Sequence, residues 1–213
     1  MSLIRLDLLT TLFAALAVGA VLGPRLDRWA NPAGPDPLVC RPTLPVTEPA
    51  MSGNVPVLFL GNSLVFDHDW DVEGIFPINC ARQGMTVAAL GDAKLPDIQP
   101  DLVVMGFGTV EVLHAGTDDL DIDRFQAAYD VALDKVTTQY PEAGVLVLGL
   151  PDVPLYPNAD IGGLNATLTE LATRNGHGFA PNSSASTYDG AHIISADYEP
   201  WHRQISLHPA VRK

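Results

Sequence analysis

The sequence predicts an α/β domain organised around a parallel sheet, and three observations carry that reading. Short apolar runs alternate along the chain with longer amphipathic or polar stretches, the pattern of strands joined by crossover helices. The runs are continuous rather than alternating, as expected of strands covered on both faces. Several stop abruptly in glycine or small polar residues, so polar chemistry falls at the carboxyl ends of strands, where open α/β sheets bind and react.

The first run, Val55 to Leu60, lies in V-P-V-L-F-L-G-N-S-L and opens the folded domain near Asn54. Gly61 lets the backbone turn tightly, and Asn62 or Ser63 can cap the helix that follows. Ser63 is thereby a candidate nucleophile at a strand end, with helix capping as its alternative role. Asp67-His68-Asp69-Trp70-Asp71 resembles the opening of a calcium loop. That loop needs glycine at its sixth position and glutamate at its twelfth, where this chain has Val72 and Ile78. The stretch is therefore read as a solvated acidic face.

Phe76 to Cys80 forms the second strand and runs into A-R-Q-G-M-T. Gly84 there either serves the turn or aims a backbone N–H at a reacting oxygen. Leu102 to Phe107 is the third strand, stopping at Gly108-Thr109-Val110-Glu111. Asp118 to Tyr140 is an amphipathic helix with Ile122, Phe125, Tyr129, Leu133 and Val136 on its core stripe. Val145 to Leu150 is the fourth strand, ended by Pro151. Leu164, Leu168 and Leu171 mark another helix, closed by Asn175-Gly176, and His177, Gly178 and Phe179 begin a short fifth strand. Near the end, Asp189 and His192 stand three apart in Y-D-G-A-H, ahead of a short helical segment. On one loop the carboxylate can hold one imidazole nitrogen and leave the other to take a proton; an exposed surface turn is the alternative.

The chain has 213 residues, 47% of them hydrophobic and 17% charged, which suits one domain with an extension and a sizeable core. Its 25 acidic and 12 basic residues give a net charge of −13, which repels a nucleic-acid backbone. No charge interrupts Leu8 to Pro24, so residues 1–24 read either as a membrane anchor or as a signal peptide. Both send the rest of the chain out of the cytoplasm. Seven prolines from Pro24 to Pro49 make residues 25–53 a tether, leaving 54–213 as the domain. Cys40 and Cys80 either pair, pinning the tether to the sheet, or remain separate thiols.

Taken together, Gly61-Asn62-Ser63-Leu64, Asn79 to Gly84 and Asp189-x-x-His192 resemble, in order, three blocks of the SGNH/GDSL hydrolase family. The resemblance spans about Val55 to His208 and implies a three-layer α/β/α sandwich of flavodoxin-like arrangement. It implies Ser63 as nucleophile, His192 as base, Asp189 as its partner, and the N–H groups of Ser63 and Gly84 as oxyanion donors, with no cofactor and no metal. One block departs: Val110 stands where the family has an asparagine donor, and Glu111 where it has aspartate. The implied activity is hydrolysis of carboxylic esters, on acyl or acetyl groups of envelope carbohydrate or lipid. An O-acyltransferase acting on glycans and a degenerate glycan-binding domain are the alternatives.

Overall fold

The computed structural model describes residues 38–41, 53–115, 120–155, 158–182 and 185–212. The expected anchor or signal, and the tether apart from residues 38–41 and 53, lie outside them.

Five strands form one sheet: β1 (Val55–Gly61), β2 (Ile75–Asn79), β3 (Leu102–Gly106), β4 (Gly144–Leu148) and β5 (Gly178–Ala180). Their order is β2-β1-β3-β4-β5 and every pairing is parallel, the flavodoxin-like arrangement expected of the sequence. Val57 to Leu60 and all of β3 are buried, which explains why these strands carry no polar alternation. The helices are α1 (Ser63–Phe66), α2 (Val87–Asp92), α3 (Thr109–Ala115), α4 (Ile122–Gln139), α5 (Ile161–Arg174) and α6 (Glu199–Leu207), the last entered through a 3-10 turn at Ser195–Tyr198.

Most expected elements occur within a residue or two of their predicted bounds. The helix expected from Asp118 begins at Ile122, because the Asp121 carboxylate accepts the Arg124 N–H at 3.0 Å and caps it there. Ile122, expected on the core stripe, is 37% exposed as the first helical residue, whereas Phe125, Tyr129, Leu133 and Val136 are buried. Helices α2 and α3 are too short to leave a readable period in the sequence.

The strand order reverses between β1 and β3, so the crevice of the fold lies where Gly61 pairs with Gly106. Both glycines are required by close approach. A Cβ on Gly61 would stand 2.6 Å from the Gly106 carbonyl and from Val65 Cγ2, and one on Gly106 would stand 2.5 Å from the same methyl. Without side chains at these two positions, α1 can settle directly on the ends of the two central strands.

Candidate active site

Helix α1 is a single turn, too short to hold itself, and its last carbonyls have no partners within it. Asn62 starts it: its side-chain oxygen accepts the Leu64 N–H at 3.0 Å. Every carbonyl of the turn then finds a donor, the first from the C-cap residue and the rest from elsewhere. Asp67 N–H donates to Ser63 O at 2.9 Å, the Tyr198 hydroxyl to Leu64 O at 2.7 Å, and the Trp70 indole and Asn79 amide to Val65 O at 3.0 and 2.9 Å. Phe66 O accepts from the Arg41 guanidinium at 2.6 Å, which also lies 4.2 Å over the Phe66 ring.

Arg41 reaches this point because the tether is stitched to β2. Arg41 and Asn79 exchange backbone hydrogen bonds at 2.8 and 2.7 Å, and Cys40 and Cys80 form a disulfide. Of the two readings left open by the sequence, the paired one is correct.

Ser63 thus sits on a pinned turn at the crevice. It is 2% exposed, and its hydroxyl has no hydrogen-bond partner among the described residues. The Asp189-x-x-His192 loop is held from within. Asp189 Oδ1 accepts the Ala191 and His192 N–H groups at 3.0 and 2.8 Å, and Oδ2 meets His192 Nδ1 at 2.7 Å. Burial works to raise the Asp189 pKa, but these hydrogen bonds and the imidazole outweigh it and hold the carboxyl below its ordinary range. The other imidazole nitrogen turns toward α1, where Nε2 lies 3.7 Å from Asp67 Oδ2.

The structure therefore joins Asp189 to His192 and brings His192 to the helix of Ser63, without a Ser63–His192 hydrogen bond. A cavity of about 270 Å³ opens beside them, lined by Asp67, His68, Tyr188, His192, Ile194 and Tyr198 among others. Asp67, Asp69 and Asp71 are exposed, as the reading of a solvated acidic face expects, and Asp67 Oδ1 in addition accepts from Gln83 at 3.1 Å. His68, between them, is half-buried instead, stacking on Tyr198 with ring centroids 3.5 Å apart and meeting His202, nitrogen to nitrogen, at 2.7 Å.

Gly84 is buried with φ +71°, and no hydrogen bond among the described residues takes its N–H or that of Ser63. Val110 is fully buried in the first turn of α3, and its side chain offers no donor. Glu111, beside it, accepts the Val87 N–H at 2.6 Å and the Gly108 N–H at 3.0 Å, tying the start of α2 to the loop before α3. Burial raises its pKa against the pull of those hydrogen bonds. Behind Ser63, Asn62 Nδ2 and Trp201 Nε1 are buried without hydrogen-bond partners among the described residues, and both residues line a cavity of about 10 Å³, near the size of one water.

Comparison by sequence yields no match, either to a family model or to a curated protein. Comparison of structures does. The chain is similar to a Corynascus carbohydrate esterase family 2 enzyme with a carbohydrate-binding domain, at 16% identity and TM-score 0.60, over 81% of this chain and 69% of that one. It is similar to an acetylxylan esterase from Geobacillus stearothermophilus at 12% identity and TM-score 0.54, over 75% and 95% of the two chains. A third likeness is to a family two carbohydrate esterase from Clostridium thermocellum, at 15% identity and TM-score 0.53, over 72% and 63%. The chain has the fold of the SGNH/GDSL-type hydrolases.

Proposed function

We propose that this protein is a serine hydrolase of carboxylic esters, with Ser63 as nucleophile, His192 as general base and Asp189 as its partner. The observation that carries the reading is the Asp189–His192 contact at 2.7 Å, which fixes one imidazole nitrogen and leaves the other facing the helix of Ser63. Nε2 turns from Asp67 to Ser63 and takes the hydroxyl proton as Oγ attacks the ester carbonyl. Asp189 stabilises the imidazolium so formed. The Ser63 and Gly84 N–H groups receive the oxyanion. On collapse of the tetrahedral species the imidazolium gives its proton to the departing alcohol, and water releases the acyl group by the same route.

The substrate is an acyl or acetyl ester of a carbohydrate. Support comes from the structural neighbours, described as carbohydrate and acetylxylan esterases. The enzyme works outside the cytoplasm, a reading supported by the Cys40–Cys80 disulfide and by the charge-free stretch Leu8 to Pro24. No helix among the described residues is long and apolar enough to cross a membrane. A second reading, a glycan-binding domain without turnover, is favoured by the buried Val110 in place of a donor.

A serine-directed fluorophosphonate separates the two. Wild-type protein is expected to be labelled and to hydrolyse p-nitrophenyl acetate, and Ser63→Ala to do neither above background. Equal labelling of the two proteins would overturn the assignment.

A further inference from the structure

In the hydrolysis as written both oxyanion donors, Ser63 and Gly84, come from the backbone, since the Val110 side chain brings none. A backbone donor has no rotamer to adjust, so its aim is set by whatever holds its loop. We propose that Glu111 is a positioning residue for this reaction: its carboxylate fixes the loop that carries Gly84, and with it the direction of the Gly84 N–H toward the oxyanion. The proposal rests on the reading of Ser63 as nucleophile and Gly84 as donor.

The loop between β2 and α2 is held at three points. The Arg82 N–H donates to Gly61 O at 2.9 Å, and the Gln83 side chain donates to Asp67 Oδ1 at 3.1 Å, so the loop is tied to the chain on both sides of Ser63. At its far end the Val87 N–H donates to Glu111 Oε1 at 2.6 Å. Gly84 stands between these points in the left-handed region, φ +71°, and no hydrogen bond among the described residues takes its N–H. Glu111 Oε2 is engaged as well, accepting the Gly108 N–H at 3.0 Å. That contact reaches from the third residue of α3 back to the residue before the helix, half of a capping box. One carboxylate therefore joins the loop of Gly84 to the turn after β3. An ionised carboxylate offers two accepting oxygens, where an amide offers one, so glutamine at this position can serve only one of the two N–H groups.

The consequence differs from that of a brace for the fold. A misdirected donor weakens the hold on the oxyanion, which exists only in the reacting species, and leaves the bound ester as it was. Loss of the carboxylate should lower kcat and spare KM.

The test compares hydrolysis of p-nitrophenyl acetate by wild type, Glu111→Gln, Val87→Pro and the control Tyr140→Phe, each assayed well below its own melting temperature. Val87→Pro removes the N–H that Glu111 accepts, at a first helical position where proline is tolerated. Tyr140→Phe removes a buried hydrogen bond to Pro96 O, 2.7 Å long, between α4 and the start of β4, at the end of the sheet opposite the site. The Gly84 amide cross-peak is followed by NMR, assigned by labelling the Gln83-Gly84 pair, the one Gln-Gly in the chain. Glu111→Gln and Val87→Pro are each expected to lower kcat by roughly 10- to 100-fold with KM held within about 2-fold, and to shift the Gly84 cross-peak. Tyr140→Phe is expected to match wild type in all three. Wild-type kcat in folded Glu111→Gln would overturn the proposal, as would an equal loss of kcat in Tyr140→Phe; if Glu111→Gln does not fold, Val87→Pro decides on the same terms. If wild type and Ser63→Ala prove equally inactive on the ester, the hydrolase reading fails separately, and an unmoved Gly84 cross-peak would still overturn the link between Glu111 and the loop.

Discussion

Tyr198 donates its hydroxyl to the Leu64 carbonyl at 2.7 Å, joining the 3-10 turn before α6 to the one-turn helix that carries Ser63, across 134 residues of sequence. Burial raises the phenol pKa, with Tyr188 and Asp67 adding to it, so the group stays a donor throughout the working pH range. Tyr198→Phe keeps the ring and removes the donor, leaving the Leu64 carbonyl unpaired. We expect a loss of about 1–3 kcal/mol of stability, read as a lower urea midpoint with unchanged slope. An unchanged midpoint would mean that water takes over the carbonyl.

The ring face of the same tyrosine carries His68, whose Nε2 meets His202 Nε2 at 2.7 Å. Two imidazoles so close share one hydrogen bond when at least one is neutral, and repel when both are charged. Burial, and then His202, lower the His68 pKa to about 4. Burial also lowers that of His202, against Glu199 and Asp71. Between the unfolded value of about 6.5 and the folded value, the unfolded chain binds a proton that the folded chain does not. The contribution of neutral His68 is therefore complete above about pH 6.5 and is lost as pH falls toward about 4. His68→Phe, which keeps the stack on Tyr198, should flatten this slope when melting temperatures are compared across the window; equal slopes would exclude His68 as its source.

The Cys40–Cys80 disulfide closes a separation of 40 residues and fixes Arg41 on the edge of β2, where its guanidinium holds the last carbonyl of α1. Chain entropy alone puts such a loop at up to about 4 kcal/mol. A Cys40→Ser, Cys80→Ser protein is expected to lose about 2–4 kcal/mol of stability and to label more slowly at Ser63 under conditions where it remains folded. Arg41→Ala with the disulfide intact separates the two effects: it should slow labelling while costing less stability. Wild-type labelling by both proteins would remove the tether from the site.

The strands, the long helices and the Asp189–His192 contact were legible in the sequence, because each rests on local pattern: a continuous apolar run, a helical stripe, a carboxylate three residues from an imidazole. What escaped was the set of donors that pins α1. Arg41, Trp70 and Tyr198 come from separate stretches and meet only through the topology, and a backbone carbonyl as their target leaves no mark on composition. Asp67 was hidden differently. Like Asp69 and Asp71 it is the solvated charge the sequence suggests, and only its place one turn after Ser63 hinted at its contact with Gln83. The glycine pair Gly61 and Gly106 gave only half its meaning: the turn at Gly61 was readable, the close approach of the two strand ends was not.

Val110 sets the sharpest test of the enzyme reading. It stands in the first turn of α3, just after β3, which pairs with β1, and the sequence resemblance matches it to an asparagine donor. Its side chain is fully buried and carries no donor. Val110→Asn restores the amide. If it turns toward Ser63, one more donor to the oxyanion is worth up to about 2.7–4 kcal/mol, and hydrolysis should rise by as much as roughly 100-fold or more. If the amide instead stays in the apolar packing, it is a buried polar group without a partner, and stability falls by about 1–3 kcal/mol. Rate and melting temperature measured on the same preparation distinguish the two outcomes. A folded Val110→Asn protein with no gain in turnover would count against a vacant donor position there, and would leave the N–H groups of Ser63 and Gly84 to hold the oxyanion by themselves.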